Sequence, residues 1–266
     1  MYWGMNIDTR DEAFSFIDSC CRIGLKFLKL NFNNDWSTLR SFLLKLKQNE
    51  IEAYVSPFIF RDVANQDTLF QQIENDRSFL LKAYREIASL IPKENCLGIS
   101  LPQNTHLITR VGKSKVGIRR EEMRDILSEI STEIKRHGHT VVFPMRLDDV
   151  QGNVWGSVPF DIYDIETMLS HKLAEVTKSK TFQSGLDKPL WFGKAGQLGG
   201  SVIPLHQAKV LRRVKEYAEK SNALYAFLWS EKVCERHHWT VDGRFVVDVL
   251  SQVLGPLDIG KEFSKG

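Results

Sequence analysis

Eight short apolar runs, separated for the most part by helical patterns, constrain this chain more than any other feature. They span residues 2–7, 26–32, 52–60, 96–101, 140–147, 160–165, 189–193 and 223–229. Most are near-continuous in apolar residues, as strands of a parallel sheet covered on both faces must be. Between them the apolar residues recur at helical spacing. Trp36, Leu39, Leu43 and Leu46 form one stripe, with Asp35 placed to cap its start. Phe70, Ile73, Leu80, Leu81, Tyr84 and Ile87 form a second, and Met123, Ile126, Leu127, Ile130 and Ile134 a third. Val246, Val249, Leu250 and Val253 close the chain. Strands alternating with helices predict βα units joined by right-handed crossovers. Eight of them favour a closed barrel over an open doubly wound sheet. An open sheet would want a glycine-rich turn after the first strand, where this chain has Asp8-Thr9-Arg10-Asp11. The expected fold is α/β, a single (β/α)₈ TIM barrel over residues 1–266, with no linker or low-complexity segment.

Composition bounds the function classes. The net charge of +3 is too mild to imply nucleic acid by itself. Cys20, Cys21, Cys96 and Cys234 fall inside expected elements and read as reduced core thiols, not a disulfide framework. No apolar run is long enough to span a bilayer. The chain opens on a strand with no basic-then-apolar leader, so the expected location is the cytoplasm, a removed leader staying open.

In such a barrel the side chains that end each strand converge on one face. The convergent set is Asn6 and Asp8, Asn33 to Asp35, Arg61 and Asp62, Gln103 to His106, Arg146 to Asp149, Asp164 and Glu166, Lys194, and Trp229 to Glu231. For Asp35 and Asp62 the plain reading is helix capping; for Asp148, Asp149, Glu166 and Glu231, capping and chemistry both stay open. Lys194 reads first as a cation pairing with Glu166 or Glu231, and alternatively as a Schiff-base amine. The glycine-rich stretch 193–200 has the flexibility of a phosphate loop, but the strand-eight end Trp229-Ser230-Glu231 offers no glycine to complete one. The loop 103–120 carries Arg110, Lys113, Lys115, Arg119 and Arg120 with no acid, a solvated loop or a lid over an anion. Its Gly112-Lys113-Ser114 fails as a P-loop because Leu107 stands where the first glycine belongs. Cys234, His237 and His238 match no standard zinc spacing, so no metal and no cofactor is expected. His137 and His139 flank Gly138 at a helix-to-strand turn and read as local structure.

Several segments, in order, resemble the clan A retaining glycoside hydrolases. Tyr2-Trp3-Gly4-Met5-Asn6-Ile7 resembles their first strand, and Phe160-Asp161-Ile162-Tyr163 a sixth strand ending near a tyrosine. Lys188-Pro189-Leu190-Trp191-Phe192-Gly193 is similar to their seventh strand, and Leu228-Trp229-Ser230 to the tryptophan-bearing end of the eighth. Asp242-Gly243-Arg244-Phe245 is similar to the lead into their last helix. The resemblance implies an acid after strand four and a carboxylate nucleophile after strand seven. At those places the chain has Gln103-Asn104 and Lys194. An amide cannot donate the proton and an ammonium cannot attack.

What the resemblance implies is therefore a carbohydrate-associated barrel without the two-glutamate mechanism, either a degenerate enzyme or a glycan-binding homologue. Asn6, Asp8, Gln103, Asn104, His106, Arg146, Tyr163 and Trp229 would line its saccharide site. An enzyme with relocated carboxylates (Asp148, Glu166, Glu231) is the first alternative. A scaffold contacting an anionic partner through loop 103–120 is the second. The expected ligand is a saccharide or an anionic small molecule, nucleic acid being the weaker candidate, with no membrane.

Overall fold

A computed structural model describes residues 2–8, 17, 26–32, 36–57, 78–103, 105, 109, 118–167, 186–195 and 215–229. Eight parallel strands close on themselves in chain order, β8 pairing back onto β1. They are β1 Tyr2–Asp8, β2 Phe27–Phe32, β3 Glu52–Pro57, β4 Cys96–Ser100, β5 Val141–Met145, β6 Ile162–Thr167, β7 Leu190–Ala195 and β8 Tyr225–Trp229. Among the described residues the helices include α1 Trp36–Gln48, α2 Ser78–Leu90, α3 Arg120–Arg136 and the short α4 Leu147–Gln151, and residues 215–220 are helical as well.

Each expected strand is found, with shifted ends. The fifth stops at Met145, and Leu147 instead opens α4, turning its side chain into the core. The sixth begins at Ile162, and Asp161 just ahead of it bonds the neighbouring strand, its Oδ2 accepting from the Val141 amide at 2.9 Å. The seventh runs on through Lys194 to Ala195. Residues 58–60 of the third, the stripe positions Phe70 and Ile73, and the closing stripe 246–253 lie outside the described residues.

Strand alternation sorts side chains into two cores. Leu28 and Leu30 of β2, Ala53 and Val55 of β3, Val141 and Phe143 of β5 and Phe192 of β7 face outward into one large cluster. There they meet Leu39, Leu43 and Leu46 of α1, Leu80, Tyr84 and Ile87 of α2, and Met123, Ile126, Leu127, Ile130 and Ile134 of α3. The residues between them face the lumen. Phe27, Tyr54, Val142, Ile162, Trp191 and Phe227 fill it, with Tyr2 and Tyr225 partly buried beside them. Tyr2, Phe27 and Tyr225 pack at centroid separations of 5.2–5.4 Å. Each fully buried side chain of this size contributes roughly 1.5–3 kcal/mol, so the lumen is a packed core and not a pore.

The turn from α3 to β5 needs Gly138, whose φ of +78° suits a residue without Cβ. His139 beyond it sets its Nε2 3.0 Å from the Ala88 carbonyl, tying this turn to α2. Cys96 is a free thiol, and burial pushes it up to about 12. Cys20, Cys21 and Cys234 lie outside the described residues. Among the described residues no helix is long and apolar enough to cross a membrane.

Candidate functional site at the carboxyl end of the barrel

Above the aromatic lumen the inward positions turn polar. On β2 the sequence Phe27-Leu28-Lys29-Leu30-Asn31 places Phe27, Lys29 and Asn31 on the lumen face. Lys29 is fully buried, and its Nζ donates to Asp164 Oδ2 of β6 at 2.7 Å. The Tyr54 hydroxyl of β3 donates to the same oxygen at 2.7 Å. Lys29 Nζ also stands 4.8 Å from the centre of the Tyr54 ring. Three strands thus share one buried carboxylate, and its Oδ1 has no partner among the described residues. Taking an ion pair out of water is costly, and mutual attraction plus the added tyrosine bond offsets that cost only with good geometry.

One layer nearer the rim lies a belt of neutral groups. Asn6 Nδ2 of β1 donates to the Gly193 carbonyl of β7 at 2.8 Å. Asn31 donates in turn to Asn6 Oδ1. Gln103, just past β4, donates through Nε2 to Asn31 Oδ1 at 3.1 Å and also to Ser56 Oγ. Ser56 and Ser100 share a hydroxyl–hydroxyl bond of 2.9 Å. Asn6, Ser56 and Ser100 are fully buried, and Asn31 and Gln103 nearly so. This belt links β1 through β4 and reaches across to β7. It consists of neutral amides and hydroxyls bonded to one another; it offers no acid or base.

The expected site residues separate. Asn6 and Gln103 come together in the belt. Glu166 and Lys194 are placed opposite each other by the backbone, as register partners across β6 and β7. The backbones of Asn6 and Trp229 are partners across β1 and β8, and that of Asp8 pairs with Asn31. Asp148 and Arg146 sit at the carboxyl end of β5 with exposed side chains, Asp148 in the first turn of α4. Asn104, His106 and Glu231 lie outside the described residues, as do Arg110, Lys113 and Lys115 of the basic loop. Its Arg119 pairs with Glu122 at 3.6 Å.

Tyr163 requires a correction. Because β6 continues to Thr167, Tyr163 is the second residue of the strand and sits at its amino end, away from the rim. Its hydroxyl donates to Asp187 at 2.8 Å, ahead of β7, and Lys188 lies 5.9 Å from its ring centre. Burial, then the Asp187 bond and charge, raise its hydroxyl above the ordinary tyrosine range.

Lys29, Asn31, Tyr54, Ser56 and Ser100 are not among the residues expected to converge on the rim. A signal was present: a lysine and an asparagine two apart in a strand otherwise built for burial on both faces. Among the described residues no group of His, Cys, Asp and Glu is arranged to hold a metal ion.

No family model and no curated protein matches this sequence. Solved structures do resemble it. A broad-specificity endoglucanase from an uncultured bovine rumen ciliate superposes with a TM-score of 0.67 at 6% identity, over 93% of this chain and 87% of the other. A hyperthermostable endocellulase gives 0.67 at 8% identity, over 94% and 92%. A variant glycoside hydrolase family 5 enzyme from Prevotella bryantii, in complex with a xyloglucan tetradecasaccharide, gives 0.61 at 9%, over 98% and 96%. At these identities what the chain shares with them is the barrel fold.

Proposed function

We propose that this chain is a carbohydrate-associated barrel that binds saccharide hydroxyls at its carboxyl rim and lacks the two-glutamate glycosidase mechanism. The belt of Asn6, Asn31, Ser56, Ser100 and Gln103 carries the reading. A neutral, mutually bonded layer beneath the rim suits a neutral polyhydroxylated ligand above it better than an ionic one, because it holds the rim in place without setting a charge under the site. The barrels it resembles include an endoglucanase, an endocellulase and an enzyme holding a xyloglucan fragment, which supports the same ligand class. Fold alone would not, since barrels host many chemistries. Trp229, at the end of β8, would supply the stacking wall. The amide Gln103 and the amine Lys194 at the expected acid and nucleophile places support a binding protein over a retaining hydrolase.

The alternative of relocated carboxylates keeps one specific support. Glu166 follows the buried Asp164 by two residues and its backbone pairs with Lys194. Of the three acids considered for that role, it is the one whose strand the lumen network holds.

The experiment is a calorimetric titration of the full chain with cello-oligosaccharides and xyloglucan oligosaccharides, repeated with Trp229→Ala. Binding by the unmodified chain, weakened about tenfold by losing one aromatic contact, is expected. No heat with either series, or equal affinity in the variant, overturns the reading.

A further inference from the structure

We infer that Asn6 is a positioning residue for the Gly193–Lys194 step of β7, acting with Asp164 to set the backbone that carries the rim of the site proposed above, on which reading its functional meaning rests. Two networks meet at Gly193. From one side, Asn6 Nδ2 donates to the Gly193 carbonyl at 2.8 Å. Asn6 is itself oriented, because Asn31 donates to its Oδ1 and Gln103 donates to Asn31 at 3.1 Å. From the other side the Asp164 carboxylate stands against the Gly193 Cα. A Cβ there would lie 2.0 Å from Oδ1 and 2.2 Å from Oδ2. That carboxylate cannot swing away cheaply, since Lys29 and Tyr54 both hold its Oδ2 at 2.7 Å.

The step so held lies where the register of the sheet shifts on both sides of β7. Pairing between β6 and β7 shifts register between Asp164 and Glu166, and pairing between β7 and β8 shifts between Phe192 and Ala195. A bulge loses regular ladder bonds and re-aims the residues it contains. With the ladder irregular on both flanks, the direction of the chain at Gly193 must come from elsewhere. A side-chain amide on the carbonyl and a fixed anion against the Cα supply it. Lys194, the next residue, is thereby kept in register with Glu166. A binding or reacting group needs such a supporting shell to stay within a fraction of an ångström of its working geometry.

The test uses the full chain, with hydrogen–deuterium exchange resolved by peptide and ¹³C-methylated lysines observed by NMR. Asn6→Ala should speed amide exchange at residues 193–195 by about two- to tenfold, the weight of one hydrogen bond. It should also move the Lys194 methyl resonance, assigned through Lys194→Arg, and leave exchange in β3 to β5 unchanged. Ser56→Ala, at the far end of the same belt, should alter neither 193–195 nor the Lys194 signal. Asn31→Ala leaves the Asn6 amide present but unoriented. It should give a smaller change of the same kind, and it carries the test if Asn6→Ala does not fold. A uniform rise across the barrel, or an unmoved Lys194 resonance, overturns the inference. Neither readout needs a ligand, so a failed oligosaccharide titration beside the expected exchange pattern removes the saccharide reading alone.

Discussion

Lys29 carries a charge into the lumen of the barrel beside the Tyr54 ring, and its tolerance there depends on Asp164. Both side chains are fully buried and 2.7 Å apart. Removing one member strands the other without water, which in comparable buried pairs costs about 3–5 kcal/mol, whereas replacing both with apolar groups of similar size is often close to neutral. Lys29→Met and Asp164→Leu should therefore each lower the urea midpoint sharply, and the double variant should recover much of the loss. The cycle reads the coupling directly. Additive losses would mean that the pair does not act as a unit. Gly193 belongs to the same cluster, because the carboxylate occupies the place its side chain would need. A glycine there was visible in the sequence; its reason was not, since that reason sits on β6 and is held from β2 and β3.

At the scale of elements, legibility follows the reach of the signal. The stripe of α3 was readable because Met123, Ile126, Leu127, Ile130 and Ile134 share one face, and all five are buried. The strands were readable as apolar runs, while their ends were not, because ends are set by neighbours. Asp161, just ahead of β6, accepts from the Val141 amide of β5. The contacts between α2 and α3 were likewise outside local pattern. Glu133 accepts from Arg85 of α2 at 2.9 Å, and that bond, with Arg136 and His137 near, holds its carboxyl below the ordinary value of 4.5. His139 is driven the other way in charge: burial lowers it from 6.5, favouring the neutral ring against Ala88. Both folded values lie below the unfolded ones, so both groups contribute stability that is complete above the unfolded pKa and lost as pH falls through the folded one. His139 acts first, below about 6.5, and Glu133 below about 4.5. Urea unfolding from pH 8 to 3 should show stability falling in both windows. His139→Gln should flatten the upper window. Glu133→Gln should cost about 1 kcal/mol at pH 7, the Arg85 partner being half in water, and the deficit should shrink towards pH 3. A deficit that grows on acidification would reverse the assigned sign.

The whole molecule poses a sharper question, because it shares its barrel fold with an endoglucanase and an endocellulase while carrying an amide and an amine at the places where the sequence resemblance leads one to expect carboxyl groups. Double displacement requires a nucleophile that forms and releases a glycosyl ester and an acid about 5–5.5 Å away. Lys194 cannot form the ester. Gln103 cannot donate the proton, and its carboxamide is committed: Nε2 donates to Asn31 Oδ1 and to Ser56 Oγ beneath the rim. A glutamate at 103 would set an acceptor against Asn31 Oδ1, whereas the Ser56 hydroxyl can turn and donate to it. Gln103→Glu is thus expected to destabilise the barrel by about 1–3 kcal/mol, the cost of leaving buried groups unsatisfied. Gaining catalysis by placing glutamates at 103 and 194 is accordingly a poor prospect, since the first would unsettle the buried amides beneath the rim. On the binding-protein reading proposed above, the unmodified chain should release nitrophenolate from aryl β-glycosides no faster than buffer between pH 5 and 8, because an acid and a nucleophile act as a unit and residual rates without them approach background. Continuous absorbance with Glu166→Gln run in parallel checks this. Turnover by the unmodified chain that vanishes in Glu166→Gln would place working machinery on β6 beside the Lys29–Asp164 cluster, and the binding-protein reading would give way to an enzyme whose carboxylate has moved one strand.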